Sequence, residues 1–178
     1  MNAPLTRIVV GIIDAPFHAL VTPEDGAIRA AGFATAEDPA ARSLEERLAR
    51  LDPSLAVRGV EEAPTGSGPI AEALRSYAAG EFTALDDLPV AQPETPFRGE
   101  VWRALRRVPA GEAVTYTELA ARAGRPTAVR AAASGCANNL VALIVPCHRI
   151  VRTDGGLGGY LFGTDIKRRL LEHECALR

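Results

Sequence analysis

The sequence predicts two domains of different class, an α/β domain followed by a mainly α domain. Three observations predict this. Residues 5–34 are apolar, β-branched stretches cut by turn residues. Residues 86–96, DDLPVAQPETP, hold three prolines and read as linker composition. From Phe97 onward the apolar residues recur at helical spacing, broken by glycines. The expected division is an N-terminal domain over 1–90, a linker over 91–96 and a C-terminal domain over 97–178.

In chain order, Leu5 to Ile13 reads as a strand, Asp14-Ala15-Pro16 as a turn and Phe17 to Thr22 as a second strand. Pro23 to Gly26 turns the chain into a third strand, Ile28 to Phe33. Ala40, Leu44, Leu48 and Leu51 are spaced for a helix. Leu55 to Val60 has the composition of an edge strand, Glu61 to Gly68 that of a loop. Ile70, Ala73, Leu74 and Tyr77 line one face of a helix over Pro69 to Ala79, ended by Gly80. No dense chemical constellation occurs in this half. His18 reads as a structural strand histidine.

The second half begins with a helix over Phe97 to Arg107, carrying Phe97, Val101, Leu105 and Val108 on one stripe, and broken at Pro109-Ala110-Gly111. Thr115 and Glu118 have the spacing of a capping box, in which each side chain satisfies the other's backbone N–H. Tyr116 to Ala123 is then a short helix stopped by Gly124, and Pro126 opens another that runs to Ala137. Two short helices joined by a tight glycine-containing turn form a helix-turn-helix pattern. The second is unusual: Ala128, Ala131, Ala132, Ala133, Ser134 and Gly135 are small, and Arg130 is its one long polar residue. Such a surface lacks the side chains that read base edges in the major groove. It suits close approach to a minor groove, or else is an alanine-rich core helix with one solvated arginine.

Asn138-Asn139 then interrupts the chain. An apolar run, Val141 to Val145, leads into Pro146-Cys147-His148-Arg149-Ile150. Proline cannot donate to a central ladder, so the chain should turn at Pro146 and present Cys147 at the end of a buried segment. A neighbouring imidazole can take a thiol proton, and a thiolate is the better nucleophile. Adjacent strand residues face opposite ways, so Cys147 and His148 converge only through a bend or a bridging water. By itself such a pair is more often a packed cysteine beside a backbone-bonded histidine. Asp154 to Tyr160 is a glycine-rich loop. Asp165 to Cys175 is a last helix, with Ile166, Leu170 and Leu171 inward and Lys167, Arg168 and Arg169 outward.

Charge is divided between the halves. Residues 1–95 hold 7 basic and 15 acidic residues, a net of −8; residues 96–178 hold 13 and 7, a net of +6. The basic half fits a polyanion partner. No apolar run approaches the ~18 residues of a membrane span, and the N-terminus makes a poor signal peptide. Three cysteines with no CxxC argue against a disulfide framework and for a reducing compartment, so the expected location is cytoplasmic. Cys147, His148, His173 and Cys175 do not have a structural zinc spacing, so no metal is expected.

Taken together, Val145-Pro146-Cys147-His148-Arg149-Ile150, the upstream Tyr116, Val129-Arg130-Ala131-Ala132, Asn139 and the terminal Leu170-Leu171-Glu172-His173-Glu174 resemble the O6-alkylguanine–DNA alkyltransferases. The resemblance covers Thr95 to Glu174 and rests on five separated elements in order. It is looser in the acidic half. It implies an antiparallel, ribonuclease-H-like sheet in the first domain and a winged-helix-like second domain. It also implies roles: Cys147 takes the alkyl group, His148 is its base through a water, and Glu174 orients and charges the imidazole. Tyr116 turns the nucleotide and donates to the guanine. Arg130 fills the gap the base leaves, with Ala131, Ser134 and Gly135 on the same DNA-contacting helix. Asn139 braces the turn before the cysteine. Ile150 and Cys147 read the guanine edge by their backbone, and Tyr160 and Leu161 close the pocket.

The implied reaction is a stoichiometric transfer of the alkyl group to Cys147, without a cofactor and without an obligate protein partner, on double-stranded DNA. Two features depart from the family's commoner forms: Leu161-Phe162 stands where small residues are usual, and the N-terminal zinc ligands of some members are missing. A lesion-binding module without transfer is the competing class, disfavoured by the presence of Cys147. A Cys-His hydrolase lacks any oxyanion-hole motif.

Overall fold

A computed structural model describes residues 2–34, 44–64 and 66–177. It divides into two compact units, Met1–Pro93 and Glu94–Arg178.

The first unit is built on strands β1 (Leu5–Ile12), β2 (Ala15–Val21) and β3 (Ile28–Phe33). The turn between β1 and β2 is Ile13-Asp14, with both residues at positive φ. This is the backbone of a two-residue hairpin whose twist matches the strands it joins. Ala15 and Pro16 therefore already belong to β2, paired with Ile12 and Gly11. Proline is tolerated there because it stands at the start of the strand. Ala40 and its neighbours lie outside the described residues; the helix that follows, α1, spans Leu44–Leu51.

The expected strand over Leu55 to Val60 is not formed. Pro53–Ala56 is a single helical turn, α2, because Asp52 caps it with a carboxylate that accepts from Leu55 N, and Pro53 starts it without needing a donor. The edge strand, β4, comes later, at Val60–Glu62, and pairs parallel to β1. The sheet order is β3-β2-β1-β4, so the sheet is mixed rather than wholly antiparallel. Helix α3 (Pro69–Ala78) buries Ile70, Ala71, Leu74 and Tyr77. Part of the proline-rich stretch also belongs to this unit. Ile28 N–H donates to Pro89 O at 2.8 Å, and Ala91 N–H donates to Ile28 O at 3.1 Å, so residues 89–91 are laid along β3.

The second unit begins with α4 (Pro96–Arg106), capped by Thr95 Oγ1, which accepts from Arg98 N at 3.4 Å. Val101, Trp102, Ala104 and Leu105 face inward. A short strand, β5 (Val114–Thr115), runs into α5 (Tyr116–Arg122). The Thr115–Glu118 capping box is formed in full: Thr115 Oγ1 accepts from Glu118 N, and Glu118 Oε2 accepts from Thr115 N at 2.6 Å. Helix α6 (Val129–Ala137) starts at Val129; Pro126 stands in the turn before it. After the cysteine motif, β6 (Ile150–Val151) pairs parallel with β5, Val114 opposite Ile150 and Thr115 opposite Val151. That pairing brings the start of α5 beside the motif. Helix α7 (Thr164–His173) closes the unit.

Candidate active site

The segment before Cys147 is buried but not extended. Ile144 N donates to Ala142 O, Val145 N to Val141 O and Cys147 N to Val145 O, a succession of tight turns. Leu143 takes φ +70°, a region costly for a branched residue. Asn139 holds this shape. Its Nδ2 donates to Val145 O at 2.8 Å and to Cys147 Sγ at 3.3 Å, while its Oδ1 accepts from Val141 N at 3.1 Å. One buried amide thus ties both ends of the apolar run and touches the thiol.

Cys147–Arg149 form one 3-10 turn, so the backbone bends here instead of continuing as a strand. Cys147 stays partly accessible while His148 is fully buried. His148 Nε2 lies 2.9 Å from Glu174 Oε1. Its Nδ1 is buried and has no hydrogen-bond partner among the described residues. Arg149, which the sequence reading left without a role, grips the same carboxylate: Nε donates to Glu174 Oε2 and Nη2 to Oε1, both at 2.9 Å, and Nη1 donates to Val108 O at 2.5 Å.

Burial pushes the His148 imidazole below its ordinary value, and the Glu174 carboxylate only partly offsets this. Burial works the other way on Glu174, but His148 and the Arg149 guanidinium outweigh it and hold that carboxyl well below the usual carboxylate range. Burial raises the Tyr116 phenol, and the Cys136 and Cys147 thiols beside it add to the effect, so it keeps its proton at neutral pH.

Lys167 was expected on the solvent face of the last helix. It is 1% exposed. Its ammonium donates to Ile150 O at 2.5 Å and Gly159 O at 3.3 Å, joining β6 to the glycine-rich loop. The signal was present: Lys167 precedes Leu170 and Leu171 by three and four positions, on the buried stripe.

Tyr160 stands over the site, with its ring 6.5 Å from His148 and 5.4 Å from Phe162. Phe162 is buried, whereas Leu161 is 43% exposed. The Tyr160 ring thus packs on Phe162, while the Leu161 side chain lies half in solvent.

On α6, Arg130, Ala131 and Ser134 are exposed on one face. Gly135 is corrected: it faces α4. A Cβ there would stand 2.9 Å from Val101 Cγ1, and its carbonyl accepts from Trp102 Nε1 at 3.0 Å. It is a packing residue, and only the Val101 side chain, invisible in local sequence, reveals why glycine stands there.

Among the described residues no group of three or more His, Cys, Asp or Glu is placed to hold a metal, and no helix is long and apolar enough to cross a membrane.

A family model for the DNA-binding domain of 6-O-methylguanine DNA methyltransferase matches residues 96–176. The constitutive methylated-DNA–protein-cysteine methyltransferase of Bacillus subtilis is 37% identical over 158 residues, covering 80% of this chain and 94% of that protein. The chain belongs to the methylated-DNA–protein-cysteine methyltransferase family. The Shigella flexneri member is 41% identical over 110 residues, 62% of this chain; the match spans 64% of that relative's length. Among solved structures, the Mycobacterium tuberculosis O6-methylguanine methyltransferase superposes with a TM-score of 0.72 at 27% identity, covering 97% of this chain and 93% of that one. Membership covers both units, including the acidic half, where the sequence alone offered only a loose likeness.

Proposed function

We propose that the chain repairs DNA by direct reversal, moving a methyl or other alkyl group from O6 of guanine, and on the same chemistry O4 of thymine, to its own Cys147. The observation that carries the reading is the partly accessible Cys147 thiol adjoining a fully buried His148–Glu174 pair.

The alkylated oxygen lies inside the duplex stack, so the nucleotide must be turned out, at a cost of a few kcal/mol. The exposed face of α6 supports this step: Ala131 and Ser134 allow close approach, and Arg130 projects to fill the space left in the stack. The winged-helix-like arrangement of α5 and α6, and the basic charge of this unit, fit a duplex partner. The mixed sheet of the first unit is read as the ribonuclease-H-like domain of the family.

At the site, His148 takes the Cys147 proton through a water. The thiolate sulfur attacks the alkyl carbon, the S–C bond forms, the C–O6 bond breaks, and the electron pair passes into the guanine ring. Tyr116, held protonated, donates towards that ring, and a donor placed where negative charge develops lowers the barrier. The Cys147 and Ile150 backbone reads the guanine edge. Tyr160, backed by Phe162, closes the pocket. Asn139 braces the turn. The thioether has no easy route back to a thiol, so one molecule repairs one lesion, with no cofactor and no obligate protein partner. The chemistry suits a reducing compartment, the cytoplasm.

The test is intact mass after mixing with duplex DNA containing O6-methylguanine. The expected result is a permanent gain of one methyl on the Cys147 peptide, lost in Cys147→Ser and retained in Cys136→Ser and Cys175→Ser. Binding without mass gain, or label on either other cysteine, overturns the assignment.

A further inference from the structure

Glu174 is a costly residue where it stands. It occupies the C-terminal cap of α7, where the helix dipole disfavours an anion, and is 2% exposed. Burying a carboxylate costs several kcal/mol unless its charge is met by well-placed partners. Two partners meet it. His148 bonds one oxygen; Arg149 bonds both, through the parallel prongs of its guanidinium. A guanidinium stays charged at any working pH and matches a carboxylate in geometry, so this pair is formed whatever His148 does.

The consequence falls on His148. A carboxylate facing a buried histidine pulls it towards imidazolium, in which both nitrogens are protonated and no lone pair is left to offer. Here the Glu174 charge is already taken. A proton on His148 would leave an uncompensated charge in an enclosed site. Burial opposes a positive ring most, Glu174 favours one, and Arg149 from its own turn and Lys167 from α7 both oppose it. Tyr160, from the glycine-rich loop, stands T-shaped to the ring. Glu174 Oε1 can only accept, so the single ring proton sits on Nε2. Nδ1 is then a bare acceptor, buried and with no partner among the described residues.

We propose that Arg149 is a positioning residue for the transfer: by pairing two-pronged with Glu174 and tying it to Val108 O, it keeps His148 neutral and Nε2-protonated, with Nδ1 available to receive the Cys147 proton. This rests on the transfer reading above. It makes the cysteine motif and the terminal glutamate one charge unit of three residues, in which the arginine sets the state of the base and the glutamate its orientation.

Nitrogen-15 NMR of the histidine rings, titrated without DNA, reads this directly. His18→Asn and His173→Asn assign the three rings. In the parent, His148 stays a neutral Nε2–H tautomer to below its ordinary midpoint of 6.5. In Arg149→Met the midpoint rises above 6.5. The acid limb of the transfer rate follows it, each pH unit below the new midpoint slowing transfer about tenfold, so the deficit against the parent grows as pH falls and is smallest at alkaline pH. Arg149→Lys, which restores charge without the fork, returns the midpoint towards the parent's. A parent His148 titrating at or above 6.5, or carrying its proton on Nδ1, overturns the proposal even if Arg149→Met does not fold. So does a folded Arg149→Met with an unmoved midpoint, or one slowed equally at every pH. A parent that transfers nothing ends the function reading instead, and the titration still decides the charge arrangement by itself.

Discussion

Asn139 Nδ2 lies 3.3 Å from Cys147 Sγ, and the same amide group donates to Val145 O at 2.8 Å. The donor that touches the thiol is therefore fixed by the turn that presents it. Asn139→Ala removes these bonds and leaves the buried Val141 N–H without its acceptor, while Val145 O keeps only the Cys147 N–H. An unsatisfied buried group costs about 1–3 kcal/mol, so the melting temperature of the second unit should fall markedly. Asn139→Asp keeps the acceptor for Val141 N but sets a carboxylate against the sulfur, where it opposes a thiolate. It should slow transfer more than its loss of stability explains. Transfer by Asn139→Asp at the parent rate would show that the amide serves only the turn.

The exposed and buried faces of α6 separate two kinds of residue. Arg130→Ala should slow reaction with duplex DNA far more than with the free alkylated base, since only the duplex requires extrusion. Binding should weaken steeply with salt in both proteins, because phosphate contacts release counterions. Gly135→Ala acts from the other face. Its Cβ would enter the Val101 side chain, and overpacking of this kind costs about 1–3 kcal/mol. It should lower the melting temperature and slow both substrates equally. Equal losses on both substrates from Arg130→Ala would remove that residue from the extrusion step.

What the sequence could and could not reveal follows from the range of the forces involved. The Thr115–Glu118 box and the turn at Pro146 are local chemistry, settled within four residues, and both are found as read. Lys167 and Gly135 take their partners, Ile150 O and Val101, from far along the chain, so the helical stripe could show Lys167 as buried but not what holds it there. The apolar run before Cys147 has the composition of a strand; a single buried side chain, Asn139, folds it into turns instead. Arg149 lay unread between two buried residues. Its meaning appears only once Glu174, 25 positions later, is seen to accept from it.

Stability should fall with acid, and the sign can be worked out group by group. His148 is held below its ordinary 6.5 by burial, so under that pH the unfolded chain takes a proton that the folded one refuses. Each such group lowers stability by about 1.4 kcal/mol per pH unit until its folded midpoint is reached. His18, lowered by burial and by Arg7, acts in the same direction in the first unit. Glu174 is held below its ordinary 4.5, so its contribution is present above that value and is lost as pH falls further. The fluorescence of Trp102, the one tryptophan, reports the second unit. Its urea midpoint should decline from about pH 6.5 downward and more steeply below about pH 4.5. In His148→Gln the first decline should vanish; its persistence would mean that His148 is not the group responsible.

Phe162 and Tyr160 set the last expectation. Phe162 is folded inward with its ring 5.4 Å from that of Tyr160, in the segment proposed to close over the flipped base. Leu161, half in solvent, adds little to the interior. An aromatic ring behind Tyr160 leaves it little room to retreat, and a well-packed site resists added groups by about 1–3 kcal/mol. On the transition state that range corresponds to about 5- to 150-fold in rate. The chain should therefore prefer methyl over benzyl on the guanine oxygen. Phe162→Ala should narrow the preference by releasing Tyr160, at a loss of about 3–5 kcal/mol of stability that calls for assay at low temperature. Leu161→Ser should leave the preference unchanged. Competing methyl- and benzyl-guanine oligonucleotides measure it in one tube. Comparable rates in the parent, unaltered by Phe162→Ala, would show that the Tyr160–Phe162 contact does not gate the site.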